Sequence, residues 1–504
     1  MVKRGFDSEE YLRQQTEAIL KRMEQFDNKL YIEFGGKLMF DYHAARILPG
    51  FDPNVKIRLL ERFREKLEVL ICLYAGDIER KKVRADFGIT YDVDVLKIID
   101  DLTDRGIAIG AVVITRFDNQ PAAVMFKNKL ERRGMKVYLH GATKGYPTDV
   151  DVIVSPEGYG ANPYIQTDCP IVVVTAPGPC SGKLATCLSQ LYHEHQRGIR
   201  AGYAKFETFP VWNMPLKHPV NVAYEAATAD IGDVNLIDHF HLEAYDEKTV
   251  NYNRDLEAFP LLRRILEKIT GESSLYRSPT DMGVNRVFFG IVDDEVVRDA
   301  SIQEVIRRYF RYSCDYLSGS VEEEAVQRVA LLMEELGVRP EDRRVVLPAR
   351  QTAIDAKKKG KGADGVCSGA ALELADGRIV TGKNSPLFHA ASSLVLNGIK
   401  VLAGIPDAID LLSVNVIESL GHLKKDVLGE RMLGLDLEET MAALSICATT
   451  NPVAAEAVEK LRELRNCEVH LSHIPSPGDE TAFRKLGVNL TSDPGFASRS
   501  LFEA

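Results

Sequence analysis

Residues 171–194 read IVVVTAPGPCSGKLATCLSQLYHE. An apolar β-branched run, a turn rich in Pro and Gly, and a helix-like stretch follow one another, which predicts a buried strand leading through a tight turn into a helix. Such a turn directs backbone N–H groups and the positive end of the helix at whatever lies above it. The pattern therefore predicts a phosphate-binding loop whose contacts come from Gly178, Cys180, Ser181, Gly182 and Lys183.

The loop departs from the P-loop pattern at two positions. Gly178 and Gly182 are separated by three residues, where that pattern has four. Leu184 stands where a Ser or Thr would bind a metal ion. The sequence therefore favours phosphate binding over any named reaction. The alternative is a plain strand-to-helix turn, in which the Pro and Gly residues serve the backbone geometry alone.

The composition is that of a globular protein with several domains. The chain has 504 residues, 45% of them hydrophobic and 27% charged, and this length exceeds what one core normally serves. The net charge of -10 argues against a general nucleic-acid-binding surface, although a local basic pocket is compatible with it. The eight cysteines form no CxxC pair, and no apolar run is long enough to span a membrane. We expect a cytoplasmic homo-oligomer that binds neither nucleic acid nor membrane.

Apolar strand-like runs alternate with amphipathic helix-like stretches between residues 92 and 175. Strands without polar alternation are typical of a largely parallel sheet covered by helices on both faces. The sequence thus predicts a multidomain α/β protein. Residues 1–210 would form a three-layer domain that is Rossmann-like or P-loop-like, residues 211–338 an irregular segment with a helical subdomain, and residues 339–504 a C-terminal α/β domain.

Ligands of parallel sheets bind at the carboxyl ends of the strands. Arg116 and Asp118 directly follow an apolar run that ends in VVIT. We therefore expect these two residues in the same neighbourhood as the loop at residues 178–183. The alternative is a solvated loop in which Asp118 caps the next helix.

Three further segments carry predictions of local structure. KLYIEF-GG-KLMFDY, residues 29–42, predicts two strands joined by a hairpin at Gly35–Gly36, because Gly adopts the positive φ angles of that turn. The alternative interpretation is a phosphate loop at GGK. Apolar residues at helical spacing predict one helix over residues 55–74, and a short apolar run predicts a strand over residues 150–154.

DVNLID, residues 233–238, is an apolar strand-like run ending in an acid, as in the Walker B element that holds magnesium. It predicts Asp238 as a metal ligand. In the adjoining DHFHLE, His239 and His241 lie on one side of an extended segment, a spacing suited to a divalent metal or to proton transfer. The alternative is that both are loop histidines with ordinary hydrogen bonds. HEH at residues 193–195 is not HExxH, which excludes a metalloprotease of the zincin type.

TGKNSPLFHAAS, residues 381–392, predicts a second site in the C-terminal domain. A capping Asn/Ser/Pro region precedes a helix whose first turn carries His389. The imidazole would share one pocket with Lys383 and Asn384, with His389 and Lys383 as catalytic groups and Asn384 as a cofactor contact.

The chain resembles, over nearly its full length, a bacterial family: the domain of unknown function numbered eighteen forty-six, with N-terminal and C-terminal parts. The strings that carry the resemblance are IEFGGKL, DYHAARILPGFDP, TAPGPCSGKLATCLSQLYHE, WNMPLKHPVNVAYEAATADIGDVNLIDHFHLEAY and TGKNSPLFHAAS. The resemblance implies no particular activity. Relatives often carry Gly at the position of Cys180, which argues against a redox role for that thiol.

The C-terminal domain also resembles the cytidine-deaminase-type fold, in which a strand ending in T-G-x-N leads to a helix with a zinc ligand. Deaminases need His-x-Glu or Cys-x-Glu and a later CxxC. This chain has His389-Ala390-Ala391 and no CxxC, which excludes zinc deamination. The formyltransferase of purine biosynthesis uses the same fold without zinc, and its Lys and His are similar in kind to Lys383 and His389.

These features together predict an enzyme that binds a nucleotide or another phosphorylated small molecule at the Gly178–Lys183 loop, with magnesium as the candidate metal. Two alternatives remain open. One is a ligand-sensing or assembly protein that binds the same phosphate without turnover. The other is a zinc-independent group transferase that uses Lys383 and His389.

Overall fold

A computed structural model describes residues 4–84, 87–363, 365–430 and 433–497. The described residues divide into two compact units. The first, here the N-terminal unit, comprises the residues up to Thr228 together with Asp233–Ser301. The second, here the C-terminal unit, comprises Ala229–Gly232 and the residues from Ile302 onward. The three-part division that the sequence predicts stays a prediction.

A parallel sheet forms the centre of the N-terminal unit. Over the described residues it has six strands in the spatial order β6-β5-β2-β7-β1-β8, and every neighbouring pair is parallel. The strands are β1 (Leu30–Phe34), β2 (Leu67–Tyr74), β5 (Ala108–Thr115), β6 (Val137–Leu139), β7 (Ile171–Thr175) and β8 (Gly202–Phe206). Two small antiparallel pairs accompany it, namely β3 (Val83–Arg84) with β4 (Ile89–Thr90) and β9 (Asn235–Ile237) with β10 (Val250–Tyr252).

Helices precede, connect and follow the strands of this sheet. They are α1 (Ser8–Met23), α2 (Tyr42–Ile47), α3 (Val55–Arg62), α4 (Ala75–Glu79), α5 (Tyr91–Asp104), α6 (Pro121–Glu131), α7 (Val150–Ile153), α8 (Lys183–Gln196), α9 (Pro219–Ala227), α10 (His239–Tyr245), α11 (Asn253–Thr270) and α12 (Pro279–Met282). The next helix, α13 (Asp294–Leu317), contributes residues to both units. No described helix combines the length and the apolar character that a membrane crossing requires.

The strands at the centre of the sheet are buried on both faces. Every residue of β1 and β7 is buried, and so is every residue of β2 except the last. On one face, apolar side chains of α8 and α11 pack against the sheet in a single core cluster that includes Cys187, Leu191 and Phe259. The prediction of an α/β fold with a largely parallel, covered sheet is therefore confirmed.

The order of the strands reverses between β7 and β1. The chain runs from β1 to β2 past the position of β7, and later from β7 to β8 past the position of β1. Because crossover connections are right-handed, connections that run in opposite directions leave the sheet on opposite faces. The loops that follow these two strands therefore diverge and leave a crevice at the carboxyl edge, where α/β proteins bind their ligands.

Three local predictions are wrong. Gly35 and Gly36 do not join a hairpin, because β1 ends at Phe34 and pairs in parallel with β7 and β8, and no strand follows before α2. The predicted helix over residues 55–74 is a helix only to Arg62, and its second half is the buried strand β2. The segment predicted as a strand over residues 150–154 is the short helix α7, which the Asp149 side chain caps.

The C-terminal unit is built on a smaller mixed sheet. Over the described residues it has four strands in the order β12-β11-β13-β14, where β11 is antiparallel to both neighbours and β13 is parallel to β14. The strands are β11 (Gly369–Glu373), β12 (Ile379–Lys383), β13 (Glu468–Leu471) and β14 (Asn489–Ser492). Its helices are α14 (Glu323–Leu336), α15 (Val346–Lys358), α16 (Ala390–Ala403), α17 (Val414–His422), α18 (Leu437–Ala448), α19 (Pro452–Lys460) and α20 (Pro477–Leu486).

A buried arginine ties β13 to β14. The Arg343 side chain is fully buried and donates to the carbonyl oxygens of Val469 and Asn489 at 3.1 and 2.7 Å, and to the Thr491 hydroxyl at 2.9 Å. It also forms an ion pair with Glu468, which Arg307 contacts at 3.1 Å. Burial disfavours the Glu468 carboxylate, but the two guanidinium groups outweigh it and lower the carboxyl pKa to about 2.

Replacing Arg343 by Met should lower the free energy of unfolding of the C-terminal unit by about 3 kcal/mol, because Glu468 then loses a buried partner. Equilibrium urea unfolding followed by circular dichroism measures the change. The matched control is Arg378→Met, which removes an exposed pair with Asp376 whose side chains are 54% and 50% accessible. It should lower the free energy of unfolding much less than Arg343→Met, because solvent screens an exposed pair. Equal losses in the two variants would contradict the prediction.

Candidate functional site

The loop at residues 176–182 lies at the carboxyl end of β7 and leads directly into α8. The residue before the helix, Gly182, has φ +88°, and no side chain caps the helix. Among the described residues, no hydrogen-bond acceptor contacts the amide N–H of Lys183, Leu184 or Ala185. The positive end of α8 is therefore open at the crevice, in the position predicted for an anion site.

Two glycines allow the loop to approach its neighbours closely. A Cβ atom on Gly178 would lie 2.3 Å from the hydroxyl oxygen of Tyr91. A Cβ atom on Gly182 would lie 2.8 Å from the side-chain atoms of Thr115, and the positive φ angle there already disfavours other residues. Both positions thus require glycine for the observed backbone path.

Two side chains at the carboxyl end of β5 hold the loop in place. The Thr115 hydroxyl donates to the carbonyl oxygen of Ser181 at 2.8 Å, and Arg116 donates to the carbonyl oxygen of Cys180 at 2.6 Å. The Arg116 guanidinium also lies 3.5 Å from the ring centre of Tyr74. The expected proximity of Arg116 to the loop is confirmed, whereas the contact found for Asp118 is an amide N–H bond to the side chain of Gln120.

Within the loop, the predicted contact residues have different surroundings. Ser181 is buried and its hydroxyl donates to the carbonyl oxygen of Gly178 at 3.0 Å, so that it closes the turn. Cys180 is exposed, adopts φ +56°, and its sulfur accepts from Arg254 at 3.6 Å. Lys183 is only 11% accessible and its Nζ lies 3.9 Å from Glu33 Oε1. Three cationic side chains thus lie beside the loop.

A row of charged side chains, not predicted from the sequence, lies at the ends of β1 and β8. Lys205 Nζ donates to both carboxylate oxygens of Asp255 at 2.6 and 2.5 Å and lies 3.4 Å from Glu207 Oε2. The Tyr252 hydroxyl contacts Lys205 and donates to Glu207 Oε1 at 3.4 Å. On β1, Glu33 accepts a hydrogen bond from the Tyr203 hydroxyl at 2.8 Å.

The acid–base properties of this row are strongly perturbed. Burial raises the pKa of Glu207, and the carboxylates of Asp255 and Glu33 raise it further against the opposing effect of Lys205. Burial opposes the charge of Lys205, but the carboxylates of Asp255, Glu207 and Glu33 outweigh it and raise the pKa of that ammonium. The row therefore holds one carboxyl group that takes up a proton more readily than an ordinary glutamate.

The signal that could have identified this row is the presence of charges inside apolar strands. Glu33 interrupts LYIEF and Lys205 interrupts GYAKF, and both strands are otherwise apolar or small at their buried positions. A charged residue in a buried strand needs a partner, so each predicts another charged group nearby. The partners lie at distant positions in the chain and form no motif.

A small cleft adjoins the start of the loop. Its lining includes Ala176 and Pro177 of the loop together with Phe40, Phe87 and Lys97. Lys97 Nζ lies 4.7 Å from the ring centre of Phe40 and 5.7 Å from that of Phe87, and the two rings meet edge to face at 6.0 Å. The cleft thus offers aromatic surface and a cation beside the predicted phosphate loop.

Asp238 is the N-cap of α10. One carboxylate oxygen accepts from the amide N–H of His241 at 3.0 Å, and the other accepts from the hydroxyl and the amide N–H of Thr280 at 2.6 and 3.2 Å. The His241 ring contacts the Ser278 hydroxyl at 2.8 Å, and His239 stacks on Phe240 with ring centres 4.1 Å apart. The structure thus gives Asp238 and His241 hydrogen-bonding roles within the fold.

No group of three or more potential metal ligands of the His, Cys, Asp and Glu types occurs in the part of the chain that the structure describes. The carboxylate oxygens of Asp238 are already occupied as a helix cap. A magnesium ion at Asp238 stays a prediction, and no step below depends on it.

In the C-terminal unit, Asn384 and His389 have separate environments. The Asn384 side chain accepts from the Ser368 amide at 2.9 Å and donates to the Val366 carbonyl oxygen at 2.9 Å, so that it fixes the segment before β11. His389 is the N-cap residue of α16, and its Nδ1 contacts Asp479 Oδ2 at 2.8 Å. Over the described residues, no hydrogen bond or ion pair joins Lys383 or Asn384 to His389.

The sequence predicts a functional role for His389 but does not identify its partner Asp479. Asp479 is buried, and it also accepts from the Leu437 amide at 2.8 Å and the Ser476 hydroxyl at 2.9 Å. Burial disfavours the protonated ring of His389, but the Asp479 carboxylate outweighs it and raises the pKa. This arrangement orients the imidazole and suits it to proton transfer.

Comparison with known proteins places the chain in a family. The model described as "Domain of unknown function DUF1846, N-terminal" matches residues 4–337, and the model for the C-terminal part of the same domain matches residues 341–502. The chain belongs to the DUF1846 family. The sequence resemblance is thereby confirmed.

Curated members of the DUF1846 family are similar along their whole length. A UPF0371 protein of Clostridium botulinum (strain Langeland / NCTC 10281 / Type F) is 59% identical over 498 residues, which cover 99% of each chain. A UPF0371 protein of Clostridium tetani (strain Massachusetts / E88) is 58% identical over 501 residues, again 99% of each chain. These names state no activity, so the function has to be argued from the site of this DUF1846 chain.

Replacing Asp479 by Asn should lower the pKa of His389, because the carboxylate that favours the protonated ring is lost while an oxygen acceptor remains. Since the folded-state pKa is raised, the pair stabilises the fold fully below the ordinary histidine value, and this contribution is lost as the pH rises through the folded pKa. NMR titration of the ring, assigned with His389→Gln, measures the change. Asp376→Asn is the control, and an unchanged His389 titration in Asp479→Asn would contradict the prediction.

Proposed function

We propose that this chain is an enzyme that binds a nucleotide or another phosphorylated small molecule at the loop of residues 176–183. The single observation that carries the proposal is the uncapped N-terminus of α8 at the carboxyl end of β7, with Lys183 as its first residue. Free amide N–H groups at a helix N-terminus are directed donors, and the helix dipole adds favourable charge for an anion.

The position of this loop in the sheet supports the proposal. The order of the strands reverses between β7 and β1, so the loop opens into the crevice expected for ligands of Rossmann-like and P-loop-like sheets. Lys183 has its nearest carboxylate oxygen, Glu33 Oε1, at 3.9 Å, which is longer than a hydrogen bond. Its ammonium group is therefore available to a phosphate. Arg116 adds positive potential on the solvent side, whereas the charge of Arg254 is paired with the carboxylate of Asp233.

The aromatic rings at the cleft beside the loop favour a nucleotide over a simple phosphate ester. The cleft itself has a volume of about 10 Å³, so a base would stack on the rings at its rim. Phe40 and Phe87 present ring faces and edges next to Ala176 and Pro177, which begin the loop. A base that stacked there would keep its phosphates within reach of the helix N-terminus. Aromatic stacking of a base contributes about 1–3 kcal/mol.

A second candidate function belongs to the C-terminal unit. Strand β12 ends in TGK, Asn384 follows it, and the segment leads to α16 with His389 at its N-cap, as in the cytidine-deaminase-type fold that the sequence resembles. The contact of His389 with Asp479 supports a group transferase in which His389 moves the proton. A role for Lys383 beside it rests on the sequence prediction alone. The remaining alternative, a ligand-sensing protein, would bind phosphate without forming a product.

Replacing Lys183 by Ala should remove most of the thermal stabilisation that ATP or pyrophosphate confers. A ligand at a hundred times its Kd stabilises the folded state by about 2.7 kcal/mol, which corresponds to about 2–4 °C in Tm. Differential scanning fluorimetry with both compounds measures it. Lys144→Ala, which removes an exposed lysine paired with Glu157, should respond like the unchanged protein. A full response of Lys183→Ala would show that the loop serves only the fold.

Replacing Phe87 by Ala should weaken the binding of ATP and leave the binding of pyrophosphate unchanged, because only the base would use the ring. The expected loss is about 1–3 kcal/mol for ATP. Isothermal titration calorimetry with the two compounds separates the effects. Phe289→Ala, which changes an exposed phenylalanine elsewhere in the N-terminal unit, is the control. Equal weakening of both compounds by Phe87→Ala would argue against a base in this cleft.

A further inference from the structure

Three carboxylates and two ammonium groups lie at the ends of β1 and β8. The carboxylates differ in how close they lie to the ammonium groups. Asp255 receives Lys205 on both oxygens at 2.6 and 2.5 Å. Glu33 accepts the Tyr203 hydroxyl at 2.8 Å and has Lys183 at 3.9 Å. The group as a whole thus carries an excess of one negative charge when all five are ionised.

Glu207 receives the longest hydrogen bond of the three carboxylates, at 3.4 Å against 2.8 Å for Glu33 and 2.5 Å for Asp255. Its nearest cation is Lys205 Nζ at 3.4 Å, and its hydrogen bond from the Tyr252 hydroxyl is also 3.4 Å long. Both separations exceed those of a charge-assisted hydrogen bond, which is normally about 2.7–2.9 Å. Lys205 lies closer to Asp255 than to Glu207. The ammonium group therefore stabilises the Glu207 carboxylate less strongly than the Asp255 carboxylate.

Glu207 is also the carboxylate of this group best placed to meet a ligand on the β1 side of the crevice. Its side chain is 26% accessible, against 11% for Glu33 and 23% for Asp255, and both oxygens of Asp255 already accept from Lys205. It follows β8 directly and lies over Gly35, where a Cβ atom would come within 2.3 Å of Glu207 Cγ. The first glycine of the GG pair therefore provides the space that the Glu207 side chain occupies.

We propose that Glu207 is the general acid–base residue of the phosphate site: it takes up a proton when an anion binds beside Lys183 and holds that proton for transfer to the bound ligand. This proposal rests on the proposed function. In the binding step one O–H bond forms on the Glu207 carboxylate and the bond of that proton to the buffer acid breaks, leaving the conjugate base of the buffer. No covalent bond of the bound ligand changes.

The charges that face Glu207 account for the direction of this coupling. Lys205 and Lys183 favour its ionised form, whereas burial, Asp255 and Glu33 favour the protonated form and raise its pKa. The hydroxyl of Tyr252, the last residue of β10, donates a hydrogen bond to the Glu207 carboxylate. A phosphate that binds at Lys183 offsets the charge of that ammonium and adds negative charge, so that both changes raise the pKa of Glu207 further.

The test is calorimetric titration of the full chain with pyrophosphate at mildly acidic pH, in two buffers that differ in ionisation enthalpy. The difference between the measured heats gives the number of protons taken up per bound pyrophosphate. We expect net uptake by the unchanged protein, and we expect Glu207→Gln to bind pyrophosphate with a smaller uptake. Glu157→Gln, which changes an exposed glutamate paired with Lys144, should keep the full uptake.

The outcomes separate the two proposals. Absence of any Lys183-dependent binding would overturn the proposed function, and the role of Glu207 would fall with it. Lys183-dependent binding with the same proton uptake in Glu207→Gln would overturn the role of Glu207 alone. If Glu207→Gln does not fold, infrared difference spectra of the unchanged protein decide. A protonated carboxyl band that appears with pyrophosphate, and is absent in Lys183→Ala, supports the proposal, and no such band overturns it.

Discussion

The parallel arrangement of the larger sheet is the constraint on which the candidate site depends. Parallel strands all end at the same edge, so the loops after β7, β1 and β8 meet there although they lie far apart in the chain. This brings Lys183, at the start of α8, within 3.9 Å of Glu33. Glu33 is in turn paired across the strands with Lys205, which lies 3.4 Å from Glu207. A cationic loop that could hold phosphate and a carboxyl group with raised proton affinity therefore share one crevice, which is a combination suited to acid–base chemistry on an anionic ligand.

The parts of the structure that could be predicted are those encoded by neighbouring residues. The stretch at 171–194 contains its own strand, turn and helix signals, and β7 and α8 follow it closely. The alternation of helix and strand that the sequence predicts from residue 92 onward begins with α5 and β5 for the same reason. Because the rule for parallel sheets is general, the position of Arg116 near the loop could also be predicted from the sequence.

The wrong predictions arose where tertiary context decided the outcome. LEVLICLY is buried on both faces of the sheet, so it shows no alternation, and its apolar residues continued the helical spacing of α3. Gly35–Gly36 suited a hairpin locally, yet their role is to accommodate Lys56 and Glu207, whose side chains come from other elements. The charged row and the partner of His389 were missed because ion pairs between distant segments leave no spacing in the sequence.

The division of the chain into units does not follow its linear order. The N-terminal unit is complete only with the segment Asp233–Ser301, and the residues from Ile302 to Leu336 already belong to the other unit. The two family segments meet instead at residues 337–341. During synthesis on the ribosome, the N-terminal unit therefore cannot complete its packing until about three fifths of the chain has been made. For the same reason, a fragment cut at the family boundary would carry Ala229–Gly232 and α14 without the rest of the unit to which they belong.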